Sequence, residues 1–125
     1  MITATFPEDI VTAVLYQAGE KVRIQTDQQF TNIFDGVARS VGGEFSKFRA
    51  HPQYGFSKTL NGTIGALTLG GGIIRDGLSE YIRASPSTLG LYGKTVFQAL
   101  DKDTRKIVCE VAKKVQDAYP LSCSD

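Results

Sequence analysis

The sequence predicts a mainly α, compact single domain of about five helices built around a glycine-rich central segment. Apolar residues recur at three- and four-residue spacing near both ends of the chain. Capping and stop residues bracket those stripes. Of the 13 glycines, five fall between Gly62 and Gly72, so the glycine excess is concentrated in one region. The 125 residues are 42% hydrophobic and 22% charged, enough for one core and too apolar for wholesale disorder.

The first helix spans residues 7 to 18. Pro7 suits the first helical position, Glu8 and Asp9 suit the positive end of the helix dipole, and Gly19 is a natural stop. Ile10, Val11, Val14, Leu15 and Ala18 form its apolar face. Val22 and Ile24 alternate with Lys21, Arg23 and Gln25, which fits a short extended connector. Asp27 then serves as cap for a second helix. Phe30, Ile33, Phe34, Val37, Ala38 and Val41 hold one face of it, and Gly42-Gly43 ends it.

The centre admits two readings. Phe45 and Phe48 are three apart, which suits a short helical turn or a bent strand. His51-Pro52-Gln53-Tyr54-Gly55 has turn chemistry, and Asn61-Gly62 is a tight-turn signal. Residues 63 to 69 fit a buried strand or a close-packed helix. An α+β fold with a small hairpin at about 45–69 is therefore the alternative. After the Gly70-Gly71-Gly72 break, the spacing of Ile73, Ile74, Gly77, Leu78, Tyr81 and Ile82 predicts a helix ending near Ala84. Ser85-Pro86 opens another helix, continued by Leu89, Tyr92, Val96, Phe97 and Leu100. Asp101 or Asp103 starts the last, with Ile107, Val108, Val111, Ala112, Val115 and Ala118 as its stripe and Tyr119-Pro120 as its end.

A net charge of +1 argues against a strongly basic nucleic-acid binder and leaves only local patches. The N-terminal residues lack a basic, apolar targeting pattern, and no run approaches the ~18 apolar residues of a membrane span. A cytoplasmic protein without membrane contact is expected. Cys109 and Cys123 are too few for a disulfide scaffold, though a bond between them would close a short C-terminal loop. They lack C-x-x-C spacing, so neither a metal nor any other cofactor is expected. Gly93-Lys94-Thr95 resembles the end of a phosphate-binding loop, but Thr88 stands where the first glycine belongs. Gly70-Gly71-Gly72 before a helix would offer free N–H groups to an anion. It does not match Gly-x-Gly-x-x-Gly.

The segment from Phe45 to Lys58 is the most distinctive. It carries four aromatics and three cations beside the single histidine, with no acid after Glu44. Phe45, Lys47, Phe48, Arg49, His51, Tyr54, Phe56 and Lys58 are its candidate contact residues. Aromatics and arginine anchor protein interfaces, so the leading expectation is a non-enzymatic adaptor, inhibitor or assembly subunit. The same composition suits nucleic acid, where rings stack on bases and cations meet phosphates. An enzyme using His51 or Cys109 is the third reading. On the last helix, Lys102, Arg105, Lys106 and Lys113 fall on one side at about 100° per residue, making a second basic face around Cys109. Aliphatic stripes on so short a chain also suit a homo-oligomer.

Overall fold

A computed structural model of the chain describes residues 6–20, 22–25, 28–53, 55–75 and 81–120. Its elements run α1 (Pro7–Ala18), β1 (Ile24–Gln25), α2 (Gln28–Val41), a 3₁₀ segment (Gly43–Phe48), α3 (Lys58–Leu69), β2 (Ile73–Arg75), β3 (Tyr81–Ala84), α4 (Pro86–Leu89), α5 (Leu91–Ala99) and α6 (Lys102–Ala118). The mainly α expectation is correct, and a small antiparallel sheet accompanies the helices.

Helix α1 is the hub. Its residues Ile10 to Leu15 are all buried, because α6, α5 and α3 pack around it. Pro7 begins it and Gly19, at φ 80°, ends it, as the sequence implies. Helix α2 buries Phe30, Phe34, Val37 and Ala38. An aromatic series then crosses the core. The Phe48 and Phe34 ring centroids are 5.1 Å apart, those of Phe34 and Phe30 5.2 Å, and those of Phe30 and Tyr119 6.2 Å. Such tilted and edge-on pairs add to the burial of the rings themselves. The terminal helix α6 contributes Val108, Val111, Ala112 and Val115 to the same hydrophobic cluster.

Three local expectations fail. Asn61-Gly62 is no turn; both residues lie inside α3. The Ser57 side chain caps that helix by accepting from the Leu60 N–H at 3.1 Å, and burial of Leu60, Thr63 and Ile64 outweighs the local turn preference. The hairpin at about 45–69 is absent, since this stretch forms the 3₁₀ segment and α3. The helix predicted over 73–84 is instead two strands. Ile73 pairs with Ala84, Ile74 with Arg83 and Arg75 with Ile82. Residues 76–80, Gly77 and Leu78 among them, lie outside the described residues, as does the Asp27 cap.

The sheet has the order β1-β3-β2. Ile24, Ile73, Ile82 and Ala84 face the core. The extended connector predicted before α2 therefore supplies the edge strand β1, paired with β3 through Ile24–Ile82 and Gln25–Tyr81. A further bridge joins Val22 to Pro120. Ser85 caps α4 and Asp101 caps α6, both through side-chain oxygens, as expected from their positions.

Candidate functional site

The aromatic and basic segment divides between core and surface. Phe45 and Phe48 are 3% and 0% exposed, so their assignment as contact residues is corrected: they are interior side chains. The 3₁₀ geometry explains the division. Residues three apart eclipse one another, which turns both rings inward and leaves Lys47 and Arg49 outside. His51, Phe56 and Lys58 are also exposed, while Tyr54 lies outside the described residues.

The turn is held firmly. The Gly55 N–H donates to the His51 carbonyl at 2.8 Å, and the His51 N–H donates to that of Phe56 at 2.7 Å. Gln28 on α2 donates to the Gly55 carbonyl at 2.7 Å. His51 Nδ1 accepts from the Gln53 N–H at 3.1 Å, giving the imidazole a part in shaping the turn.

Asp35 anchors the start of this loop. Its carboxylate accepts from the Ala50 N–H at 2.7 Å and from Arg39 Nε at 2.8 Å. Burial pushes the carboxyl pKa up, but hydrogen bonds from Arg39 and Ala50, with the charges of Arg39 and Arg49, bring it below its ordinary value. A carboxylate whose folded-state pKa is depressed contributes stability above its unfolded pKa of about 4, and loses it as pH falls through the folded value. Asp35→Asn should therefore cost about 1–2 kcal/mol at neutral pH, with the gap to wild type shrinking on acidification. Urea denaturation from pH 7 down to pH 3 checks this; a gap that is constant with pH refutes the assignment.

Lys102, Lys106 and Lys113 are exposed on α6, and Arg105 is partly covered. Cys109 is a free, exposed thiol among them. Its pairing with Cys123 lies outside the described residues. The only ion pair among the described residues closer than 4.0 Å is Arg39–Asp35. Among these residues, too, no helix is long and apolar enough to cross a membrane.

One surface was not singled out by sequence reasoning. A groove of about 520 Å³ opens between the end of α3 and the α4–α5 junction, lined by Ala66, Leu67, Gly70, Gly71, Gly72, Ser87, Thr88 and Tyr92. Leu69, next to Gly70, is 92% exposed; Leu91 is 78% and Tyr92 52% exposed. The glycine turn precedes strand β2 and not a helix, so it presents no helix N-terminus to an anion. Its amides are already used: Gly71 N–H donates to Thr68 and Gly72 N–H to Leu67, at 3.3 and 2.8 Å. The Thr88 hydroxyl closes the turn by donating to the Gly72 carbonyl at 2.9 Å. The signal available in the sequence was Leu69 beside three glycines and Leu91-Tyr92 after a fourth. Their nearness depends on the return of the chain through β2 and β3. Set against family models, curated proteins and solved structures, the chain matches none.

Proposed function

We propose that this is a small cytoplasmic protein-binding module, and that the groove beside the glycine turn receives an apolar anchor of its partner. The supporting observation is the exposure of Tyr92 in the groove's lining and of Leu69 and Leu91, which adjoin the lining residues Gly70 and Tyr92 in the chain, whereas Leu15, Leu60 and Leu100 are buried. Scattered apolar residues on a surface are ordinary, but large ones gathered at a concavity mark interaction sites. Helix α3 supports the same reading. Gly62 and Gly65 face solvent, and nothing lies within 4 Å of where a Cβ would sit on either. Each glycine costs its helix up to about 1 kcal/mol relative to alanine, with no gain inside the fold. Their absent side chains let a partner's backbone come close.

Two measurements follow. Gly65→Ala should raise stability by about 0.5–1 kcal/mol in urea denaturation. A loss of stability would show that the fold itself needs this glycine. Leu69→Asp combined with Leu91→Asp should remove a partner captured by wild-type protein from its native host, with circular dichroism unchanged. In parallel, Arg49→Ala with Phe56→Ala tests the exposed remainder of the aromatic and basic segment. Loss of capture with that pair alone would move the interface to the 3₁₀ segment and its turn; retention in both variants would refute both surfaces.

A further inference from the structure

The strand register brings together two arginines that stand 60 positions apart in the sequence. In β1 and β3, Ile24 pairs with Ile82 and Gln25 with Tyr81. Continuing that antiparallel register by one position sets Arg23 across from Arg83. Ile24 and Ile82 face the core, so by strand alternation Arg23, Gln25, Tyr81 and Arg83 share the outer face. Both arginines are exposed. The Arg23 guanidinium lies 5.1 Å from the centroid of the Tyr81 ring, the diagonal contact this arrangement requires. In β2 it is Ile74 that pairs with Arg83 and shares this face, whereas Arg75 pairs with the core-facing Ile82 and stands on the other side.

Neighbouring strands are about 4.8 Å apart, a spacing at which two guanidiniums can both donate to the oxygens of one phosphate. Between phosphates, a flat sheet face with an aromatic ring and a glutamine offers a base a stacking partner and a hydrogen-bonding edge. From this juxtaposition we infer that the outer face of the β1-β3-β2 sheet binds single-stranded nucleic acid, with Arg23 and Arg83 on the phosphates and Tyr81 beneath a base. Charge complementarity selects the occupant. The chain as a whole is nearly neutral at +1, so attraction must come from a local row of this kind. This surface is separate from the apolar groove, and either can fail without the other.

The test is fluorescence anisotropy with the whole chain and a labelled twelve-nucleotide oligo(U) or oligo(dT) at 50 mM salt. Wild-type protein should bind, with affinity falling steeply as salt rises. Each cation removed from a phosphate lowers the log–log salt slope by about 0.7 for single strands, so Arg23→Gln with Arg83→Gln should flatten it by about 1.4. Tyr81→Leu should weaken binding about tenfold or more, with the salt slope kept. Circular dichroism of each variant establishes that it is folded, and Arg23→Lys with Arg83→Lys, which keeps both charges, should retain most of the slope. Lys102→Gln with Lys106→Gln and Lys113→Gln serves as the control on the other basic face. No binding by wild type at 50 mM salt overturns the inference. So does equal binding of a labelled poly-glutamate peptide, or loss of binding only in the α6 variant.

Discussion

Phe48→Ala is expected to destabilise the protein by about 3–5 kcal/mol, the range for emptying a fully buried aromatic site. Domains of this size are stable by only about 5–15 kcal/mol, so the variant should be partly unfolded near body temperature. The reason is the position of the ring. It is 0% exposed and packs on Phe34, which continues through Phe30 to Tyr119 at the end of α6. Removing it opens a cavity at one end of a series that ties the 3₁₀ segment to α2 and the terminal helix. Arg49→Ala, one residue along and exposed, should change stability by less than about 0.5 kcal/mol. Urea midpoints for the two variants separate the roles. If Phe48→Ala is as stable as wild type, the ring does not support the core. Loss of partner binding by this variant would report unfolding, so it cannot be used to map an interface.

The same pair of residues shows how far the sequence could be read. Phe45 and Phe48 at three-residue spacing are consistent with inward packing and equally with paired surface anchors. Only the turn type, set by Gly42-Gly43 and by the Asp35 clamp on Ala50, decides between them. Helices α1, α2 and α6 were legible because each carries its whole signal locally: a stripe, an end and acids near the start or a stop residue. Residues 73–84 were not, since Ile73, Ile74, Tyr81 and Ile82 satisfy helical spacing while their actual partners lie across a sheet. Strand β1 lies some fifty residues from β2 and β3, and pairing over that distance leaves no local mark. Both surfaces proposed to act in binding share this origin. The groove and the Arg23–Arg83 row are products of the β2–β3 return, which periodicity alone does not disclose.

Gly93→Ala should be about as damaging, costing about 3 kcal/mol and lowering the melting temperature by about 10 °C. Gly93 is the glycine of the Gly93-Lys94-Thr95 triplet, and its surroundings explain the residue without a nucleotide. The triplet lies inside α5, and β3, which precedes α4, belongs to an antiparallel sheet. A Cβ at Gly93 would stand 1.8 Å from the Thr88 carbonyl oxygen and 3.0 Å from Cβ of Tyr16 on α1. The clash is with backbone, so no change of rotamer relieves it. Thr88 cannot easily retreat: it is 1% exposed, its hydroxyl holds the Gly72 carbonyl, and its N–H donates to the Ser85 cap. Relief requires α5 to move away from α1 and α4 together, which would also loosen the floor of the groove at Thr88 and Tyr92. Lys94 is exposed, so Lys94→Ala should be neutral within about 0.5 kcal/mol. A phosphate-binding loop would give the opposite pattern, with Lys94→Ala abolishing nucleotide binding and the glycine acting through the ligand. Thermal and urea unfolding of both variants, with and without millimolar ATP and magnesium, distinguish the two. Stabilisation of wild type by the nucleotide that is lost in Lys94→Ala would overturn the packing account. Destabilisation by Gly93→Ala alone, equal in both conditions, is the outcome required by the contact of Gly93 with Thr88.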